Sequence, residues 1–154
     1  GSLCDKLSGV GAALLVKTLD ELEKGTVKPV KQNETEATHV KMLDKSFGNI
    51  DFSMEAARIE RLIRGLNPWP SAFTHFNGKL LKIWDADVCD DVVCESGESV
   101  VNGMITQVDN NSFIVKCGDN SLKINELQLE GKKRMKTQDF LRGNHINTGD
   151  ILGK

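Results

Sequence analysis

A chain of 154 residues with 39% hydrophobic and 27% charged residues has the balance of a folded globular protein of average domain size, which excludes a disordered polar tract. Its formal net charge of −2 excludes the broad positive field of a chain that coats nucleic acid along its whole surface. The longest apolar run, Gly11 to Val16, ends at Lys17 and falls far short of the roughly 20 residues a membrane span needs.

Leu3, Leu7, Val10, Leu14, Leu15, Leu19 and Leu22 recur at steps of three and four, the spacing of one face of an amphipathic helix. Gly9 and Gly11 are expected to break it into two pieces. Gly25 is placed to end it, because glycine adopts the left-handed conformation at the position after a helix. Nothing in residues 1–6 reads as a signal sequence, so the expected location is cytoplasmic. The lack of an initiator Met points to a piece of a longer protein, in which the apolar face would find its partner.

Thr26 to Asn49 is polar, contains Pro29 and reads as an extended linker. A second helix follows, with Ser53 as the expected N-cap, Glu55 in the first turn and Ala56, Ile59, Ile63 and Leu66 as its apolar stripe. Arg58, Arg61 and Arg64 fall on the other side. Gly65, Pro68 and Pro70 stop the helix, since proline has no amide hydrogen to donate. Trp69 and Trp84 are both expected to pack against the structure that follows, with Trp69 burying a large apolar area.

From Ser71 the period changes to two. Ser71 to Phe76 and Lys79 to Val88 flank Asn77-Gly78, the pair a two-residue hairpin turn prefers because both positions need positive φ. Gly103 to Val108, Ser112 to Cys117 and Ser121 to Leu129 are further strands, separated by Asp109-Asn110-Asn111 and Gly118-Asp119-Asn120. Thr137 is the expected cap of a last short helix ended by Gly143. The fold class is therefore α+β: N-terminal helices and an extended linker, then a small OB-like, partly open Greek-key barrel of five strands with a short C-terminal helix.

No reaction centre is visible. His39, His75 and His145 stand at no spacing that pairs them with a carboxylate, Ser or Cys. Glycine-rich phosphate loops and zinc-protease motifs are absent. Cys4, Cys89, Cys94 and Cys117 fit neither a disulfide framework nor a zinc finger, so neither metal nor bound cofactor is expected in the chain. What remains is "EGKKRMK" at 130–136, where Lys132, Lys133, Arg134 and Lys136 crowd a turn between the last strand and the last helix. Charge alone weighs a solvated turn and a phosphate contact equally, because residues 67–154 hold ten Lys and Arg against twelve Asp and Glu.

Read together, "RLIRGLNPWPSAF", "NGKLLKIWDADV", "NGMITQV" and "ELQLEGKKRMKTQDFLRG" resemble, in order and spacing, the C-terminal half of bacterial methionyl-tRNA formyltransferases. Upstream, "LCDKLSGVGAALLVKTLDELEKGTVKP" is similar to the end of the first domain of that family, and "QNETEATHVKMLDKSFGNIDFS" to its linker. The resemblance implies three parts: residues 1–25 as the terminal helical segment of a missing Rossmann-like catalytic domain, 26–52 as linker, and 53–154 as a helix plus an OB-like tRNA-binding domain. It also implies transfer of a formyl group from 10-formyltetrahydrofolate to the amino group of initiator methionyl-tRNA, with every catalytic residue and the folate site outside this chain. Lys132, Lys133 and Arg134 match the basic loop of the family, and Arg61 and Arg64 match basic positions of the helix leading into the barrel, which assigns all five to tRNA. The chain departs from more basic members where Asp85, Asp87, Asp90, Asp91, Glu95 and Glu98 crowd one region, and those acids are expected away from the RNA. Two other readings stay open: a barrel that only docks a catalytic domain, and the corresponding part of a related formyltransferase acting on a nucleotide sugar or on folate.

Overall fold

A computed structural model describes residues 1–91 and 99–153. Cys94, Glu95 and Glu98 lie outside the described residues. The chain forms two compact units, Gly1–Met42 and Leu43–Lys154.

The first unit is dominated by α1 (Ser2–Glu23), one uninterrupted helix. The break expected at Gly9 and Gly11 does not occur. Each glycine costs a helix interior about 1 kcal/mol relative to alanine, and the surrounding Leu, Ala, Lys and Glu residues are helix formers that carry it. The C-terminus is as expected: Gly25 has φ 66°, its N–H donates to the Leu22 carbonyl, and the Thr26 N–H donates to the Glu21 carbonyl. That double bond pattern satisfies carbonyls the helix itself leaves open. No residue of α1 is buried. A single helical turn at Glu34–Glu36, capped by the Asn33 side chain, interrupts the extended stretch that follows.

In the second unit a turn at Lys45–Gly48 leads to Ile50 and Phe52, both buried in the core. Helix α2 (Ala56–Gly65) buries Ala56, Ile59 and Ile63, the expected stripe. Its N-terminus differs from the expectation. Ser53 lies in the preceding turn, where its N–H donates to Asp51 Oδ1 at 2.9 Å, and Glu55 occupies the cap position without a side-chain cap bond. The Ala56 N–H instead donates to Asp119 Oδ1 at 2.7 Å, across 63 residues of sequence. A distant carboxylate thus satisfies an open amide and complements the positive end of the helix. Gly118 makes this approach possible, because a Cβ there would stand 2.0 Å from the Ser53 carbonyl oxygen.

The strands are β1 (Ala72–Phe76), β2 (Lys79–Cys89), β3 (Ile105–Val108), β4 (Phe113–Lys116), β5 (Ser121–Leu129) and β6 (Met135–Lys136), all antiparallel. Asn77 and Gly78 turn the first hairpin with φ of 51° and 72°, as their sequence demands. Asp109 holds the β3–β4 turn by accepting from the amides of Asn111 and Ser112. The order β1-β2-β5-β4-β3, with β6 on β5, contains a Greek key in β2-β5-β4-β3. Six strands stand where five were expected, since the basic turn doubles back into a short sixth. The result is the α+β fold with a partly open barrel that the sequence predicts.

The seam between β1 and β3 is covered rather than paired. Ile50 N–H donates to Phe73 O, Gly153 N–H donates to His75 O, and Leu152 N–H donates to Gly103 O, so residues 49–50 and 149–153 satisfy edges that would otherwise be exposed. Inside, Phe113, Val115, Leu81, Ile83, Leu122, Ile124 and Leu127 form the core, closed at one end by Phe140 of α3 (Thr137–Leu141). Thr137 does not cap that helix. It is its first residue, fully buried, with Lys136 before it.

Candidate nucleic-acid interface

Residues 130–134 join β5 to β6 in a turn whose backbone is fixed from both sides. Gly131 supplies φ 74°, the Lys132 N–H donates to the Leu129 carbonyl at 2.9 Å, and Gln128 Nε2 donates to the Lys132 carbonyl at 2.9 Å. Glu130 ties the turn to β2: its N–H donates to Leu80 O at 2.8 Å, and its carboxylate accepts from the Leu80 N–H at 3.2 Å. Lys132 and Lys133 project from this turn into solvent without an ion-pair partner among the described residues. Two exposed ammonium groups of this kind attract anions such as phosphate.

Arg134 is held differently. Its guanidinium donates to the Glu126 carboxylate, and its Cζ stands 4.8 Å from the centre of the Trp84 ring. Hydrogen bonding to Glu126 is the main cause that raises the Arg134 pKa, and Asp85 adds to it through space. Asp85 therefore lies within electrostatic reach of Arg134. Asp91 is engaged internally, accepting from Ser121 Oγ at 2.8 Å and pairing with Lys116. Asp87 accepts from Asn125 at 2.8 Å.

Trp84 sits where the β2–β5 register shifts: Ile83 faces Leu127 and Asp85 faces Glu126, which leaves Trp84 as a bulge residue. Bulges re-aim a side chain, and this one turns toward two cations, with Lys82 Nζ 5.6 Å from the ring centre in addition to Arg134. Such contacts are worth about 0.5–1 kcal/mol each at partly exposed sites. Trp84 is half-buried, yet its Nε1 is fully shielded and has no hydrogen-bond partner among the described residues. Its role as a packing residue is thus only part of its environment. Lys82 had no sequence signal of its own, although a Lys-x-Trp on one strand face with a distant Arg is the composition of a cation–aromatic cluster.

The Trp84 carbonyl accepts from Asn67 Nδ2 at 3.4 Å, which brings the end of α2 to the same cluster. Residues 66–71 form a loop closed by the Ser71 N–H on the Leu66 carbonyl at 3.0 Å. At its tip Trp69 is 59% exposed, and the burial expected for it fails. Its neighbour Pro70 is buried instead, so the chain enters the core one residue after the indole.

Arg61 and Arg64 lie on the exposed face of α2. Arg64 spends its guanidinium on Glu60, at 2.9 and 3.3 Å, and that pair raises its pKa. No hydrogen bond or ion pair among the described residues joins Arg61 or Arg64 to Lys132, Lys133 or Arg134. The structure unites Arg134 with Trp84 and Lys82 instead.

No group of His, Cys, Asp and Glu among the described residues is arranged to hold a metal ion. His75 packs edge-on against Phe73, ring centres 6.0 Å apart. Cys117 is in the core, where burial pushes its thiol up to about 12, so it stays protonated and unreactive. No helix among the described residues is long and apolar enough to cross a membrane.

The sequence profile of the formyl transferase C-terminal domain matches residues 42–145. A methionyl-tRNA formyltransferase from Lachnospira eligens is 58% identical over 154 residues, covering 100% of this chain and 49% of the relative. One from Clostridium acetobutylicum is 45% identical, covering 99% of this chain and 47% of the relative. The chain spans about half the length of the curated relatives it matches. Among solved structures, HypX from Aquifex aeolicus in complex with tetrahydrofolic acid superposes with a TM-score of 0.55 at 14% identity, covering 89% of this chain and 26% of that one. A HypX variant gives 0.58 at 15% identity, covering 86% and 24%. At that identity the likeness speaks for the fold.

Proposed function

The chain belongs to the formyl transferase C-terminal domain family, and on that premise we propose that it is the tRNA-holding part of a methionyl-tRNA formyltransferase. The whole enzyme would move a formyl group from 10-formyltetrahydrofolate to the amino group of methionine on initiator tRNA, in the cytoplasm where translation starts. The amine nitrogen attacks the formyl carbon, the bond from that carbon to N10 of the folate breaks, and the proton the amine loses is balanced by one gained at N10 of the departing tetrahydrofolate. The groups for that step and the folate site belong to a catalytic domain outside this chain, so the chain alone is inactive. Residues 1–25 would be the last helical segment of that domain, 26–52 the linker, and 53–154 the domain that grips RNA.

The observation that carries this reading is the fixed β5–β6 turn. It presents Lys132 and Lys133 without an ion-pair partner among the described residues, beside an Arg134 anchored on Glu126 and Trp84. Backbone-phosphate contacts made by a few cations release counterions, so binding to initiator tRNA should fall with salt at a slope of roughly −2 to −4 in log K against log salt. Lys132→Ala with Lys133→Ala removes about two of those contacts and should weaken binding and flatten the slope while leaving thermal stability alone. Adding Arg134→Ala should weaken it further, and Arg61→Ala and Arg64→Ala test the helix. Salt-insensitive binding, or a double variant that binds as well as the parent, would refute the assignment. A double variant that instead loses association with the catalytic domain would identify a docking barrel.

A further inference from the structure

Six phenylalanines and two tryptophans supply the large aromatic rings of the chain, and only Phe47 and Trp69 among them are exposed, at 48% and 59%. Leaving a tryptophan in water forgoes the burial that its roughly 150–250 Å² of surface could otherwise give. The segments that carry them meet through their backbones. The Lys45–Gly48 turn lies against the 66–71 loop so closely that a Cβ on Gly48 would meet the Ser71 carbonyl oxygen at 2.1 Å. Trp69 is two residues from Ser71 on one side and two from Asn67 on the other. Asn67 in turn bonds the backbone of Trp84, whose ring meets Lys82 and Arg134. The loop that carries the exposed Trp69 is thus tied through Asn67 to the strand that carries the Trp84 cation cluster, and Arg134 of that cluster follows Lys132 and Lys133 directly in the chain.

Cations that track phosphates, interleaved with rings open on a face, make up the chemistry of single-stranded nucleic acid binding. We propose that Trp69 is a stacking platform for an unpaired base of the bound RNA, with Lys82 and the Trp84–Arg134 pair gripping the phosphate beside that base. This rests on the RNA-binding reading above and adds what the lysine turn cannot supply, a preference for an unpaired nucleotide. A protein partner fits less well, since a stable protein interface buries about 800 Å² on each side, whereas the exposed aromatic surface here is two rings, Phe47 and Trp69. Trp84 is the support and not the platform, because its Nε1 is shielded and its ring already faces two cations.

The test compares the full 154-residue chain with Trp69→Ala and Trp69→Phe, using a short single-stranded RNA and the fully paired duplex of the same sequence. Trp69→Ala should weaken single-strand binding about 5- to 100-fold. Duplex binding and the salt slope should stay unchanged, because stacking releases no counterions, and Trp69→Phe should restore most of the loss. If Trp69→Ala binds the single strand as the parent does while Lys132→Ala with Lys133→Ala binds worse, stacking is refuted and RNA binding stands. Should no RNA bind the parent chain, both fall. A Trp69→Ala protein that melts earlier and is not rescued by Phe assigns the ring to stability, and one that spares RNA but loses the catalytic domain assigns it to a protein contact. Either result overturns the proposal.

Discussion

Helices α1 and α2 carry the same sequence pattern and end in opposite environments. In α1, Leu3, Leu7, Val10, Leu14, Leu19 and Leu22 all remain 55–66% exposed, whereas α2 places Ala56, Ile59 and Ile63 at no more than 3%. Periodicity therefore fixes which face of a helix is apolar and says nothing about what covers it. The cover of α2 is built by strands dozens of residues later in the chain. The first unit contains no sheet, and nothing in it shields α1. The two termini of these helices differ in the same sense. α1 ends on a local glycine motif, while α2 begins on a carboxylate supplied from the β4–β5 turn.

The sharpest way to break this contrast is to truncate one side chain on each helix. Ile59→Ala should cost about 2–5 kcal/mol in urea unfolding, because it removes a fully buried side chain from a packed core. Leu14→Ala should change stability by less than about 0.5 kcal/mol, and an equal cost would show that α1 has a cover in this chain. Gly9→Ala with Gly11→Ala meets open space at both positions and should favour the helix by about 1 kcal/mol per site, seen as a rise in far-ultraviolet helicity with the barrel transition unmoved. Asp119→Ala should lower barrel stability by about 1 kcal/mol, the worth of a helix cap, and leave the melting of α1 untouched. The smallest effect is electrostatic. The Arg134 guanidinium holds the Glu126 carboxyl below the ordinary value of 4.5, so the unfolded chain takes up the proton first. The pair's contribution is complete above the unfolded value and is lost as pH falls through the lower folded one. Acidification should reveal a loss within about 1 kcal/mol, absent in Glu126→Gln when unfolding midpoints are compared across pH.

What could be read in advance follows from how local each determinant is. The Asn77-Gly78 turn, the Gly25 helix stop and the Ala56–Ile59–Ile63 stripe depend on a few neighbouring residues, and all three stand as expected. The cap of α2 was misplaced on Ser53 because its true partner is 63 residues away. The break in α1 was expected from two glycines whose penalty the rest of a 22-residue helix absorbs. At the candidate site the sequence singled out Lys132, Lys133 and Arg134 as a charge cluster. It could not show that Arg134 reaches Trp84, since their proximity is created by a bulge in β2 and a hairpin fifty residues on. The large apolar area of Trp69 predicts burial, and its exposure is settled by how the 66–71 loop meets the core, which no neighbouring residue announces.

The strap over the seam has a consequence for how the protein is made. The hydrogen bonds from Leu152 and Gly153 that cover Gly103 and His75 come from a segment later in the chain than every strand of the sheet. During synthesis all six strands leave the ribosome before the seam can be sealed, and for that interval the β1 and β3 edges are open to pairing with a neighbouring nascent chain. A released chain truncated just ahead of Gly149 would keep every strand of the sheet with its zipper undone, and should aggregate more readily than the full chain.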